Sequence, residues 1–196
     1  MKMFFVLMLA SVQFSFAAPQ GKILKLKGAA TYNDVALKEG ETIIGKGIIK
    51  VSDKSVVRFR YEEAGHDVLV GGNSEITVDF SQPKGGENIT LVQGVSRWIS
   101  GKVQKPRESA GIKTKTATMG VRGTDFIVMV NQLLDESEVI CFDGEVALTN
   151  NTNKADHKNI HKGQWGGVGG RFGRRIGDII DLPENVLKHF DSSLAL

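Results

Sequence analysis

Few residues in this chain have the types and spacing that chemistry requires. His157 and His161 are four residues apart, the spacing with which one face of a helix presents two zinc ligands. They lie in a polar segment with strand-like ends, and the sequence places no third ligand near them. We therefore interpret both as solvated loop histidines, and we predict neither a metal nor another cofactor.

The sequence also offers no nucleophile and no acid–base pair. Cys141 is the only cysteine, so the chain contains no internal disulfide. The apolar strand pattern around it predicts a small buried core residue and not a reactive thiol. Neither a Gly-x-Ser-x-Gly elbow nor a His-Glu-x-x-His motif occurs. We predict no catalytic residues and expect a protein that is not an enzyme.

The glycine-rich segment from Gly166 to Gly173 suggests a phosphate-binding loop at first sight. It lacks the Gly-Lys-Ser/Thr ending and the βα unit that such a loop needs. We interpret it as an irregular surface strap whose aromatic and basic residues are suited to contact a partner or an anionic polymer. The alternative is that these charges form only a solvated face. The residues concerned are Trp165, Arg171, Phe172, Arg174 and Arg175.

The most informative motif is Gly120-Val121-Arg122-Gly123-Thr124-Asp125, followed further along by Asp143-Gly144-Glu145. Arginine is unusual in a β-turn, which normally takes Asn, Asp, Gly or Ser. A guanidinium between two glycines can donate five hydrogen bonds to turn carbonyls or to nearby carboxylates. We favour this structural clasp over a contact to an anionic partner. Its residues are Gly120, Arg122, Gly123, Thr124, Asp125, Gly144 and Glu145.

Alternating patterns dominate the chain and predict an all-β fold. Val57 and Phe59, for example, alternate with Arg58 and Arg60, and similar runs recur along the sequence. The 23 glycines mostly separate such runs, as the turns of a β-fold require. Asp143-Gly144 is typical of a hairpin turn. Two architectures stay open, a sandwich of two facing sheets and an irregular solenoid of stacked coils.

The composition changes after residue 150, and a short helix follows near the end. Asp181 can cap this helix, Pro183 suits its first turn, and Glu184 follows the cap at the favourable distance. We expect the helix to pack on the β-domain through one apolar face. No linker divides the chain, so residues 18–150 form the β-domain and residues 151–196 an extension of it. The apolar face consists of Val186, Leu187, Phe190 and Leu194.

The first seventeen residues predict an export signal. A positive start precedes an apolar run from Phe4 to Phe16, and Ala17 offers a small residue for cleavage. The run is shorter than the about 20 residues that span a bilayer, so we predict no membrane span in the mature chain. Without Lys2, 24 basic residues face 22 acidic ones and the formal charge falls from +3 to +2. This near-neutral charge argues against nucleic acid as a partner.

Taken together, these motifs resemble the FecR domain, and the resemblance covers most of the mature chain. Its most specific part is the element that ends in Gly-Arg-Gly-Thr, at the expected distance from the others. The matching segments are Gly40-Glu41-Thr42-Ile43, Gly72-Asn73-Ser74-Glu75-Ile76, Leu91-Val92-Gln93-Gly94-Val95, Ile112-Lys113-Thr114, Gly123-Thr124-Asp125-Phe126, Gly144-Glu145-Val146-Ala147-Leu148 and Gly163-Gln164.

The resemblance implies a bacterial envelope sensor with an all-β, solenoid-like body. In such proteins a cytoplasmic segment acts on a sigma factor, one membrane helix follows, and the periplasmic FecR domain receives a signal from an outer-membrane receptor. This chain departs from that pattern, because a cleavable leader stands where the cytoplasmic segment and membrane helix are expected. The resemblance therefore extends to the extracytoplasmic recognition module and puts an anti-sigma role in doubt.

We accordingly expect an exported protein of a Gram-negative bacterium, located in the periplasm or at the cell surface. It would bind another envelope protein in sensing or scaffolding. The alternative is a module that binds a glycan or peptidoglycan through exposed aromatic side chains such as Trp98 and Trp165. The sequence does not define the oligomeric state.

Overall fold

The computed structural model describes residues 20–61, 65–81, 89–100 and 110–194. The predicted leader lies outside the described residues. Within them the chain forms fifteen strands, a one-turn 3-10 helix and one α-helix, which confirms the all-β class with a short C-terminal helix. No helix among the described residues has the length and apolarity needed to cross a membrane.

The elements follow one another along the chain with mostly short connections. Their bounds are β1 Gln20–Lys27, β2 Ala30–Tyr32, β3 Val35–Ala36, β4 Thr42–Ile44, β5 Lys46–Val51, β6 Val56–Tyr61, β7 His66–Val70, β8 Ser74–Asp79, β9 Ile89–Ser100, β10 Ala110–Lys113, β11 Ala117–Asn131, β12 Glu136–Asn150, β13 His157–His161, β14 Gln164–Val168, the 3-10 helix Gly170–Phe172, β15 Ile180–Asp181 and α1 Glu184–Ser193.

Three long strands, β9, β11 and β12, connect two layers of one continuous sheet. The first half of β9 pairs with β8 and β10, and its second half pairs with β7 and β11. Likewise, β12 pairs with β14 near its start and with β13 near its end. The sheet therefore curls around itself like a small barrel with additional strands.

The direction of pairing bears on the two architectures that the sequence left open. Every pairing between the described strands is antiparallel except the short one between β9 and β10. A solenoid stacks successive coils by parallel pairing, whereas facing sheets joined by bent strands need no such stacking. The antiparallel pairing thus argues against a regular solenoid, and the one continuous sheet forms a small barrel and not two separate facing sheets.

The long strands bend at glycines with positive φ. Gly94, Gly123 and Gly144 have φ values of 89°, 63° and 78°, and the β11–β12 register shifts beside the last two. The prediction of a hairpin turn at Asp143-Gly144 is therefore wrong, since β12 continues through it. A glycine with positive φ serves a bulge as well as a turn, so the dipeptide alone does not distinguish them.

One apolar cluster fills the interior between the layers. Trp98 belongs to it and is only 2% exposed, and its Nε1 donates a hydrogen bond to Ser100 Oγ at 3.0 Å. The hypothesis of an exposed Trp98 is therefore wrong, because strand alternation turns this ring inward. Cys141 is fully buried as predicted, and burial raises the pKa of its thiol to about 11.

The C-terminal extension joins the same sheet, because β13 and β14 both pair with β12. The prediction of an irregular strap is wrong for its first part, which forms the regular strand β14. The predicted cap of α1 is also wrong. Pro183 occupies the N-cap position without a side-chain hydrogen bond, and the Asp181 carboxylate instead accepts a hydrogen bond from Gln164 Nε2 at 3.0 Å.

Candidate interaction surface

The Gly-Arg-Gly-Thr motif lies where β11 passes from one layer to the other. A Cβ on Gly144 would lie 2.8 Å from the carbonyl oxygen of Gly123 and 2.8 Å from Thr124 Cγ2. Thr124 itself is 2% exposed. Gly120 pairs with Ala147 on β12 without such crowding. This motif therefore lets two bent strands approach closely, which is a structural role.

Arg122 is the centre of the predicted clasp. Arg122 pairs with Glu145 through the β11–β12 ladder, but its side chain lies outside what the structure describes. The clasp by Arg122 stays a prediction. The two carboxylates that were expected near it have other partners: Asp125 binds Arg97, and Glu145 lies 3.2 Å from His161 Nδ1 at the surface.

Arg97 is the charged residue that the sequence reasoning missed. Its Nε and Nη2 donate to the two carboxylate oxygens of Asp125, each at 2.8 Å. Nη2 also lies 2.7 Å from Asp191 Oδ1 on α1, and the guanidinium stacks 4.9 Å from the Phe142 ring centroid. A charged residue in the middle of an apolar strand requires such a partner. The position of Arg97 within an apolar run could therefore have indicated a buried ion pair from the sequence.

The strap residues Trp165, Arg171 and Phe172 form one cluster with two glutamates of β12. The Arg171 guanidinium lies 5.5 Å and 5.2 Å from the centroids of the Trp165 and Phe172 rings. It also forms ion pairs with Glu136 at 2.8 Å and with Glu138 at 2.6 Å. The structure therefore brings together three of the five strap residues that the sequence singled out.

Trp165 is half-buried within the same cluster. Its ring packs against Phe172 at 5.4 Å between centroids and against Arg171. Its Nε1 donates to Glu138 Oε2 at 2.8 Å. A sugar that stacks on an aromatic side chain needs a free ring face. With Trp98 buried as well, the two tryptophans of the glycan hypothesis do not form an exposed pair.

Glu136 is the most unusual ionisable group of the cluster, since it is only 3% exposed. Burial and the neighbouring Glu138 carboxylate raise its pKa, although Arg171 opposes the shift. A Cβ on Gly170 would lie 2.9 Å from Glu136 Oε2, so the strap closes directly over this carboxyl group. The arrangement fixes the strap to β12.

Arg174 and Arg175 continue the strap at the surface. Both are exposed, and the Arg174 carbonyl accepts a hydrogen bond from Asn150 Nδ2 at 2.8 Å. Arg174 also lines a groove of about 340 Å³, together with Gly169, Gly170 and Leu134. The groove lies between the strap and the hairpin that joins β11 to β12.

The tip of that hairpin presents two leucines to solvent. Leu133 is 96% exposed and Leu134 is 55% exposed. Asn131 Oδ1 accepts hydrogen bonds from the backbone nitrogens of both, at 3.1 Å and 3.3 Å. Lys115 Nζ lies 2.7 Å from Asp135 Oδ1 in an exposed ion pair at the end of the turn. We call the two leucines and the groove with Gly169, Gly170 and Arg174 the hairpin surface. Of these residues, the sequence had indicated only Arg174 as an interaction candidate.

The described residues contain no cluster of three or more His, Cys, Asp or Glu side chains that could hold a metal ion. His157 and His161 are both exposed and lie on β13, a strand and not the predicted loop. The Cys141 thiol is buried and its pKa is raised, so it lacks the thiolate character of a nucleophile.

A family model described as FecR protein matches residues 48–147, which is half of the 196-residue chain. The chain therefore belongs to the FecR family. The match includes the bent strands β9 and β11 and most of β12. Membership places the protein among regulatory or sensing modules of the FecR type.

Two crystal structures of a candidate anti-sigma factor from Parabacteroides distasonis, at 2.50 and 1.65 Å resolution, share the fold. Their TM-scores are 0.60 and 0.59, each at 12% sequence identity. The alignments cover 74% and 73% of this chain, but only 64% and 63% of those chains. The likeness thus concerns the fold, and this chain spans less than two thirds of their length. No curated protein sequence matches the chain.

Proposed function

We propose that the protein is a non-enzymatic recognition module that binds another envelope protein, in sensing or scaffolding, outside the cytoplasm. Membership of the FecR family supports the sensing or regulatory character. The predicted leader, residues 1–17, supports export to the periplasm or the cell surface. Export and the identity of the partner are parts of the proposal.

The observation that carries the proposal is the hairpin surface. A leucine side chain that is buried gains about 1.5–3 kcal/mol relative to an exposed one, so Leu133 forgoes this gain in the free protein. The turn backbone is held by the Asn131 side chain, and an ordered turn loses little entropy on binding. Aromatic residues and arginine, which interfaces favour, lie beside it in the strap.

The test is capture of a partner by two matched variants. The chain without its leader, immobilised and briefly crosslinked, is exposed to a periplasmic extract beside the double variant Leu133→Ser/Leu134→Ser. Val35→Ser is the control, since Val35 is 67% exposed on β3. We expect a discrete envelope protein on the wild type and the control, and its loss on the double variant. Equal capture by all three, or capture of nothing, would contradict the proposal.

A further inference from the structure

A row of buried apolar side chains lies on the outer face of the sheet, apart from the core. Leu69, Ile127 and Ile140 are 5%, 0% and 1% exposed, yet none belongs to the interior cluster. Their chain neighbours, such as Val68 and Val128, do belong to it. Because successive strand residues point to opposite faces, the three side chains point outward.

Strand register joins these residues into one line. Leu69 on β7 is opposite Arg97 on β9, and Arg97 is opposite Ile127 on β11. Ile127 is in turn opposite Ile140 on β12. The outer face therefore carries an apolar row across four strands, with one guanidinium inside it.

Helix α1 covers this row. Asp191 Oδ1 lies 2.7 Å from Arg97 Nη2, and the Asp191 carbonyl accepts a hydrogen bond from Nη1 at 3.3 Å. Leu194, directly after the helix, is 3% exposed, and its Cδ2 would lie 3.0 Å from a Cβ on Gly71, next to β7. Since Arg97 lies between Leu69 and Ile127, these contacts place α1 over the row.

The helix itself is short and weakly capped. It has ten residues and no side-chain N-cap, and isolated helices shorter than about 12–15 residues are marginal in water. Its apolar residues Val186, Leu187 and Phe190 are only half-buried. The helix therefore depends on the sheet face for its order, and it can leave that face without breaking a strand pairing.

The apolar row and the Arg97 guanidinium determine which kind of helix can bind this face. Val186, Phe190 and Leu194 repeat every four residues and supply the apolar stripe. Asp191 adds a second carboxylate to Arg97, whose side chain is 12% exposed and stays paired with Asp125. An apolar helical stripe with one acidic residue thus complements both the row and the guanidinium.

We propose that the face formed by Leu69, Arg97, Ile127 and Ile140 is a second docking surface, which takes an amphipathic partner helix that bears a carboxylate. In the free protein α1 occupies it, and the partner helix displaces α1. This is helix-in-groove recognition. The inference rests on the proposed function only in that the partner is a protein, and the surface is distinct from the hairpin surface.

The test uses a fluorescent peptide of residues 181–194 as the probe and the chain without its leader as the receptor. The variant Asp191→Asn/Leu194→Ser weakens the internal helix. Glu184→Gln is the matched control, because Glu184 lies on α1 and is highly exposed. By anisotropy we expect the weakened variant to bind the peptide at least about ten-fold more tightly than the control, since the internal competitor is loosened. A peptide with Asp191→Asn should bind more weakly.

Equal affinities of the weakened variant and the control would overturn the proposal, and so would equal binding of the two peptides. Circular dichroism and tryptophan fluorescence verify the fold of each variant. Phe190→Ser replaces the double variant if that one does not fold. The peptide assay needs no envelope partner, so this result and the capture experiment at the hairpin surface can fail separately.

Discussion

Replacing Gly144 by alanine should destabilise the protein by about 2–5 kcal/mol. Its φ of 78° lies in the left-handed region, where an L-residue with a Cβ costs about 1–2 kcal/mol. The new Cβ would also lie 2.8 Å from the Gly123 carbonyl oxygen. Backbone cannot rotate away as a side chain can, and such overpacking costs about 1–3 kcal/mol.

Gly123→Ala separates the two contributions. Its φ is 63°, but a Cβ there would meet nothing within 4 Å among the described residues. It should therefore lose only the about 1–2 kcal/mol of the backbone conformation. The change in unfolded-state entropy is the same for both substitutions and cancels in the comparison.

Urea denaturation of both variants, followed by tryptophan fluorescence, measures the difference. We expect Gly144→Ala to be less stable than Gly123→Ala by about 1–3 kcal/mol. If the two variants lose the same free energy, or Gly144→Ala loses less, then the close approach of the two bent strands is not what requires glycine there.

Three further predictions concern buried groups. Trp98→Ala should cost about 3–5 kcal/mol in urea denaturation; a near-neutral effect would contradict its place in the core. The pKa of Glu136 is raised in the folded state, so the protonated carboxyl group stabilises the fold at low pH. This contribution to the free energy of unfolding is lost as the pH rises through the folded-state pKa. The stability of Glu136→Gln relative to wild type should therefore rise as the pH increases above the ordinary glutamate pKa of about 4.3; a flat difference would contradict this. Cys141 should react with a thiol reagent only after unfolding, and rapid native labelling would oppose its burial.

The sequence predicts the fold class because the alternation of apolar and polar residues, together with the glycines between the runs, defines each strand from its own residues. Each strand needs one apolar face, and residues such as Val57 and Phe59 supply it regardless of where the partner strand lies. The same reasoning predicts a buried Cys141. It would also have placed Trp98 inward, since Trp98 alternates with Arg97.

What the sequence does not show is how distant segments meet. Asp125 pairs with an arginine 28 residues away, and no local pattern encodes that distance. Gly144 fits both a turn and a bulge, so only the partner strand decides between them. Strand β14 could not be predicted from its sequence, because it contains Gly166 and Gly167 and glycine is rare in strands. Gly167 is required because a Cβ there would lie 2.8 Å from the Ser137 carbonyl oxygen.

The hairpin surface was missed for a similar reason. The segment from Asn131 to Ser137 is mostly polar, and two leucines within it suggest nothing until the turn exposes them. Their exposure depends on the Asn131 side chain bonding the turn backbone. The groove beside them exists only because the strap, far along the chain, folds over β12.

Site-specific photocrosslinking in cells can detect binding through the hairpin surface. A photoreactive residue is placed at Leu133 and, as the control, at Val35, which is also largely exposed. We expect one discrete adduct with an envelope protein from position 133 and none of that mass from position 35. Identical adduct patterns from both positions, or no adduct from position 133, would contradict it.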